Sequence, residues 1–306
     1  MTSANDRIKG VLSPVVTPFS KDLAPDPARL VAHSRWLISQ GCGLALFGTN
    51  SEANSQAVDE RMMLLEAVVE AGLPTNRMMP GTGCCSLPDS VKLSAHAARL
   101  GCAGVLMLPP FYYKGVSDDG LFAYYSELIQ RVGDARLKVY LYHIPQVAQV
   151  GISLNLIERL LKAYPDTVVG IKDSSGDWAN TEAMLKTFPG FDVFAGSEAF
   201  LLQNMRHGGV GCISATANVN PAAIVALYNN WQAADADERQ AALTATRMVF
   251  QSFPMIPALK AAIGEFSGDA EWGTVRPPLV ALTAEQRTAL KAKLDEIGFT
   301  MPGLGK

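Results

Sequence analysis

The chain has 306 residues, of which 48% are hydrophobic and 18% charged, with a formal net charge of −3. That is apolar material for a sizeable core, too little charge for a disordered chain, and no cationic footprint for nucleic acid. No apolar run approaches the ~20 residues of a membrane span, and the opening residues 1–7 lack the apolar stretch of a secretory signal, so a soluble cytoplasmic protein is expected.

Short β-rich apolar runs alternate with amphipathic helical patterns along most of the length. The first run is residues 10–17, and a helix over Pro27–Ser39 follows. A second run, residues 44–47, precedes a helix over 58–71. There Val58, Met62, Leu65 and Val69 share one face at 3.6 periodicity, and Gly72 stands where a terminating glycine belongs. The third run, 77–81, leads to a helix opened by Ser86 with Asp89 three residues on, a capping-box spacing. Runs at 104–108, 138–142, 168–172, 191–195 and 210–214 complete the series. Helices are predicted between them at 118–132, 153–164, 177–186 and 199–207, with another from Pro221.

Eight strand–helix units in this length predict an α/β fold, a (β/α)8 TIM barrel, over an open doubly wound sheet. The runs lack polar alternation, as strands buried on both faces should. Beyond Asn229 only helical patterns remain, at 234–253, 257–266 and 283–297. The expected organisation is a barrel over 1–228 and a C-terminal helical segment, 229–306, packed on it.

The five cysteines, Cys42, Cys84, Cys85, Cys102 and Cys212, show no CxxC spacing, and the four histidines form no metal-ligand grouping. They read as small buried hydrophobes in a reducing compartment, with the vicinal pair Cys84-Cys85 the one candidate for redox chemistry or for lining a site. No metal is expected.

A barrel places its chemistry at the C-terminal ends of the strands and in the loops that follow. Those positions are Gly48-Thr49-Asn50-Ser51-Glu52, Gly81-Thr82-Gly83, Pro109-Pro110-Phe111-Tyr112-Tyr113-Lys114, His143-Ile144-Pro145, Lys172-Asp173-Ser174-Ser175, Gly196-Ser197-Glu198 and Ser214-Ala215-Thr216. Hydroxyls, tyrosines and one lysine dominate. Lys172 ends a buried run, Val-Val-Gly-Ile-Lys, where desolvation favours the neutral amine. Such an amine adds to a carbonyl to form a Schiff base, an electron sink for making and breaking C–C bonds. The competing reading pairs Lys172 with a carboxylate such as Asp173. Pattern alone leaves both open.

Three of these segments carry a resemblance. Gly48-Thr49-Asn50-Ser51-Glu52, Tyr142-His143-Ile144-Pro145 and Gly170-Ile171-Lys172-Asp173-Ser174 resemble, in order and spacing, the GTTGE, YNxP and GxKD motifs of the dihydrodipicolinate synthase / N-acetylneuraminate lyase family. Val15-Val16-Thr17-Pro18-Phe19 is similar to that family's opening strand and Pro110-Phe111-Tyr112-Tyr113 to its tyrosine loop. The resemblance extends over nearly the whole chain, including the helical C-terminal segment. It implies that Lys172 forms an imine with a 2-oxo acid such as pyruvate, so that no separate cofactor is required. It also implies that Tyr142 shuttles protons and that Thr49 links Tyr142 to a Tyr113 supplied across a dimer interface. The N–H groups around Thr49 and Asn50 would hold the carboxylate of the 2-oxo acid.

The departures bear on substrate. Asn50 and Ser51 replace the motif's second threonine and its glycine, and an asparagine amide still donates to a carboxylate. Glu52 keeps the motif's glutamate, with a structural role expected. Where dihydrodipicolinate synthases carry an arginine two residues past the motif proline, this chain has Val147, which offers no bidentate fork. Gly196, Ser197, Glu198, Ile213 and Ser214, with Thr216 nearby, present groups suited to a polyhydroxylated tail. His143, in place of the motif asparagine, reads as bonded to backbone or in touch with substrate. Lys114 reads as a solvated loop lysine or as a contact for a distal carboxylate.

The leading expectation is a lyase cleaving a 2-keto-3-deoxy sugar acid to pyruvate and an aldehyde. A keto-deoxy sugar acid dehydratase or a dihydrodipicolinate synthase using the same imine is the alternative. A non-enzymatic oxo-acid sensor fits poorly with Lys172, Tyr142 and Thr49 retained together. The aromatic triplet Phe111-Tyr112-Tyr113 would be a costly exposed patch. With the resemblance, it implies a homotetramer built as a dimer of dimers.

Overall fold

A computed structural model describes residues 7–305, and the reading of residues 1–6 lies outside the described residues. In chain order the elements begin with β1 (Gly10–Ser13), α1 (Pro27–Ser39), β2 (Gly43–Leu44), α2 (Val58–Glu70), α3 (Leu87–Arg99) and β3 (Val105–Met107). There follow α4 (Asp118–Val132), β4 (Val139–His143), α5 (Pro145–Ala148), α6 (Leu154–Ala163), β5 (Val168–Asp173), α7 (Trp178–Thr187) and β6 (Asp192–Ala195). The last are α8 (Leu201–Arg206), β7 (Gly211–Ile213), α9 (Pro221–Asn229), α10 (Ala236–Gln251), α11 (Met255–Ser267) and α12 (Ala284–Glu296).

By contacts the chain falls into two compact units, one of Met1–Gly10 with Pro74–Ile213 and one of Val11–Leu73 with Ser214–Lys306. The sequence reading had divided the chain at residue 228, where its strands stop.

In the first unit β3, β4, β5, β6 and β7 lie side by side and parallel, with helices between them in sequence. Every strand residue is buried. The close approach is made at Gly170, where a Cβ would lie 2.6 Å from Cδ1 of Tyr140 and 2.5 Å from the Asp192 carbonyl oxygen. The missing side chain lets Tyr140 turn its ring edge-on to Phe194 at 5.8 Å. Side-chain caps fix the helix starts: Ser86 accepts from the Asp89 N–H, Ser117 from Gly120, Ser153 from Leu156 and Asp177 from Ala179.

In the second unit β1 pairs with β2 in parallel, Leu12 opposite Gly43 and Ser13 opposite Leu44. Helices α1 and α2 pack on each other, and α10, α11 and α12 pack mutually. The predicted C-terminal helices are thus present, within a unit that also contains α1 and α2.

Three details depart from the sequence reading. Seven strands stand among the described residues rather than eight, because the run at 77–81 forms a single bridge, Gly81 to Leu106. The chain does run beside β3 there, with the Leu106 N–H on the Pro80 carbonyl (2.9 Å) and the Thr82 N–H on the Leu106 carbonyl (3.0 Å). Pro80 has no N–H with which to extend the ladder. The run at 44–47 shrinks to Gly43–Leu44, since Phe47 takes a left-handed φ of 59° that no strand accommodates. On α2 the buried face is Arg61, Leu64, Leu65 and Val68, while Val58, Met62 and Val69 are half-buried. Apolar residues cover so wide an arc of that helix that periodicity did not choose the face. Packing did.

Candidate active site

Lys172 is the next-to-last residue of β5 and lies opposite Tyr142 of β4 in the strand register, with Asp173 opposite His143. Successive strand residues point to opposite faces, so Lys172 and Tyr142 share one face and Asp173 and His143 the other. The Lys172 side chain is buried at 2% exposure, and its Nζ stands 4.2 Å from the centre of the Tyr142 ring. Asp173 is engaged elsewhere. Its Oδ2 accepts from Thr181 Oγ1 (2.7 Å) and Asn180 Nδ2 (3.0 Å), and its Oδ1 from the Ser175 N–H (2.9 Å). Lys172 makes no ion pair among the described residues. The carboxylate-paired reading is therefore overturned by strand parity, and a buried amine beside a phenol remains.

His143 is the buried, backbone-bonded histidine of the first sequence reading. Its Nδ1 accepts from the Ile152 N–H at 3.0 Å, which leaves the neutral ring's proton on Nε2. Burial lowers its pKa against the opposing pull of Asp173, so the ring stays neutral and anchors the segment after α5.

The tyrosine loop stands open in the single chain. Tyr112 and Tyr113 are 73% and 74% exposed, edge to face at 5.3 Å. Lys114 is an exposed loop lysine, as anticipated, with an added backbone role. Its Nζ donates to the Ala148 carbonyl (2.8 Å) and to the Phe111 carbonyl, tying the tyrosine loop to the turn of α5. Val147 on that turn is exposed at 59%, where it adds apolar surface and no charge.

After β6, the Gly196 N–H donates to the Asp173 carbonyl at 2.7 Å. A Cβ on Gly196 would sit 2.1 Å from Ser174 Oγ and 2.6 Å from its Cα, so only glycine permits this crossing. Ser197 Oγ caps the following turn by accepting from the Ala199 N–H (3.1 Å), and Glu198 is buried at 1% exposure. Ile213 ends β7, fully buried. The first unit thus holds Lys172, Tyr142, Tyr113, Gly196, Ser197, Glu198 and Ile213.

The second unit holds Thr49, Asn50 and Ser214. Thr49–Ser51 form a single 3-10 turn, closed by the Ser51 N–H on the Gly48 carbonyl (3.1 Å) and the Glu52 N–H on the Thr49 carbonyl (3.1 Å). Glu52 is buried with a left-handed φ of 55°. Its Oε1 accepts from Lys260 Nζ at 2.7 Å, and its Oε2 from the Arg276 N–H at 2.9 Å. This is the structural role expected of Glu52. Ser214 is fully buried, and Arg247 Nη1 reaches its Oγ at 3.3 Å. Sequence reading missed Lys260, Arg276 and Arg247. Only Lys260 left a trace, as a cation inside the apolar run Pro257-Ala258-Leu259-Lys260-Ala261-Ala262-Ile263.

A model of the dihydrodipicolinate synthetase family matches residues 7–297. The chain belongs to that family. A DapA-like lyase from Chloroflexus aurantiacus is 34% identical over 94% of this chain and 97% of its own. The crystal structure of dihydrodipicolinate synthase from Agrobacterium tumefaciens superposes with a TM-score of 0.87 at 34% identity, covering 95% of this chain and 99% of that one. A prophage protein of the same family from E. coli K12, solved in complex with pyruvate, gives a TM-score of 0.87 at 26% identity over 95% and 99% of the two chains. This member of the dihydrodipicolinate synthetase family is accordingly an enzyme of the lyase type, with the (β/α)8 barrel fold and C-terminal helices that its sequence predicted. Among its described residues no three histidine, cysteine or carboxylate side chains gather as a metal site, and no helix is long and apolar enough to cross a membrane.

Proposed function

We propose that this family member is a Schiff-base lyase that cleaves a 2-keto-3-deoxy sugar acid, or a similar 2-oxo acid, to pyruvate and an aldehyde. The observation that carries the reading is Lys172: a buried amine with no carboxylate partner among the described residues, 4.2 Å from the Tyr142 ring. Its Nζ adds to the C2 carbonyl and, with loss of water, forms an imine that serves in place of a bound cofactor. A base takes the proton of the C4 hydroxyl, the C3–C4 bond breaks, and its electron pair passes into the imine as an enamine. Protonation at C3 and hydrolysis return pyruvate and free lysine. Tyr142 is assigned the proton transfers, with Thr49 and a Tyr113 from a neighbouring subunit as relays. The N–H groups of Thr49 and Asn50 are assigned to the substrate carboxylate. Gly196, Ser197, Glu198, Ile213 and Ser214 are assigned to the hydroxylated tail. Val147 supports this substrate class over a dicarboxylate, because an exposed valine stands where a synthase needs its arginine.

Pyruvate with borohydride should add one pyruvyl-derived mass to the peptide containing Lys172. An unmodified Lys172 under those conditions would remove the mechanism. Product analysis with keto-deoxy sugar acids then separates cleavage, which gives pyruvate and an aldehyde, from dehydration, which gives a single oxo acid. The exposed Tyr112 and Tyr113 support assembly through the tyrosine loop, into a dimer and from dimers into a cytoplasmic homotetramer. Light scattering should accordingly give at least twice the chain mass of 32.7 kDa.

A further inference from the structure

We infer that Lys260 is a positioning residue for the turn that receives the substrate carboxylate, acting through Glu52 across 208 residues of sequence. The inference rests on the assignment of Thr49 and Asn50 made above and gives that turn its mechanical support. The first N–H groups of a helical turn have no partner inside it, so they are useful to an anion only if the turn is held still. Thr49–Ser51 is one turn long and cannot hold itself.

Its C-terminal side is held at two consecutive residues. The Ser51 carbonyl accepts from Thr17 Oγ1 (2.8 Å) and from Gln56 Nε2 (2.6 Å), while Ser51 Oγ accepts from the Gly48 N–H (3.2 Å). Glu52 then turns left-handed, a conformation that disfavours a side chain and persists only where surroundings impose it. What imposes it is the carboxylate, gripped on one oxygen by Lys260 and on the other by the Arg276 N–H. Lys260 and Glu52 are both at 0% side-chain exposure. The Lys260 Nζ also lies 4.6 Å from the Phe19 ring centre, and the Arg276 guanidinium carbon 4.5 Å from it. Arg276 is fixed in turn by Glu60 and by the Ser55 carbonyl. A fully buried pair of this kind is weak evidence for stability as such. Its placement one residue after the turn gives it a directional use.

The test uses the full-length protein. Lys260→Met removes the grip and leaves a buried carboxylate. Glu52→Gln with Lys260→Met removes the grip and the stranded charge together, so it avoids the destabilisation expected of the single variant. Deuterium exchange of peptides spanning residues 46–54 should quicken in the double variant while peptides covering β4 and β5 exchange as before. In borohydride trapping, half-saturating pyruvate should rise by about 10- to 100-fold with the limiting rate nearly kept, as for a misplaced binding group. Unchanged exchange at 46–54 in the double variant would overturn the inference, as would unchanged half-saturation alongside a lowered melting temperature. Failure of the unaltered protein to trap pyruvate would sink the proposed chemistry instead, and the exchange measurement would still decide whether Lys260 holds the turn.

Discussion

Two lysines are buried among the described residues, one in each compact unit, and they are buried in opposite ways. Lys260 has a carboxylate at 2.7 Å and sits beside Phe19. Lys172 has a phenol ring at 4.2 Å and no ion pair among the described residues. Burial depresses the Lys260 pKa even with Glu52 pulling the other way. A desolvated charge is costly unless paired, which marks an unpaired buried lysine as a candidate for an amine that is itself used. The pair in the second unit is architecture, and the lone amine in the first is the group to which the proposed chemistry is assigned.

The sharpest way to break that contrast is to replace each lysine by methionine. Lys172→Met should abolish trapping and turnover, yet leave the melting temperature equal or higher, because no partner is stranded. A marked loss of stability would show Lys172 to be structural. Lys260→Met strands Glu52 and should cost about 3–5 kcal/mol of unfolding free energy, the usual penalty for breaking a buried pair. Denaturant titration reads it, and a loss near zero would end the distinction between the two sites. Tyr142→Phe keeps the ring beside the Lys172 amine but removes the hydroxyl. Imine formation should persist while turnover falls by roughly 10²–10⁴, and an unchanged rate would reduce Tyr142 to packing.

The units also differ in how they should answer to pH. In the first, burial pushes Asp192 up to about 6 from 3.8, against Arg7 at 3.3 Å and the more distant Lys9. The native state therefore binds more protons than the unfolded chain between those values, and this group's contribution falls as pH rises through that window. In the second, burial lowers the His33 pKa to about 4 from 6.5, the ring lying 5.6 Å from Trp36 and 5.2 Å from Trp272. Here the unfolded chain binds more protons between about 4 and 6.5, so stability is lost as pH falls through that range. The two slopes oppose each other, and the buried His143 of the first unit adds to the rising one. Asp192→Asn should expose the rising limb and His33→Phe the falling one, each by on the order of 3 kcal/mol across the window. Melting temperatures that vary with pH identically in both variants would refute the assignment. Smallest of all, Tyr113→Phe should lower activity a fewfold without changing the mass in solution. A fully active monomer carrying Tyr113→Phe would show that no tyrosine is borrowed from a neighbour.

The alternation of apolar runs and helical patterns, the glycine after α2 and the Ser86 cap were legible because they are local, set by a few neighbouring side chains. So was Lys172, whose burial follows from the four residues before it. The motifs around Thr49, Tyr142 and Lys172 identified the family for the same reason. What the sequence withheld was orientation and partnership. It left Asp173 as a candidate partner for Lys172, and only the strand register turned the two to opposite faces. It placed Leu65 on the buried face of α2 but missed Arg61, Leu64 and Val68, because a helix apolar over a wide arc is oriented by what it packs against. It showed Lys114 as a loop cation and gave no sign that two carbonyls would accept hydrogen bonds from it. Glu52 and Lys260 stand 208 residues apart, a separation at which no local rule operates. Propensity and periodicity act within a turn or a strand, whereas ion pairs and hydrogen bonds act through space. This sequence therefore determined its elements and its candidate nucleophile, and tertiary structure decided which groups hold them in place.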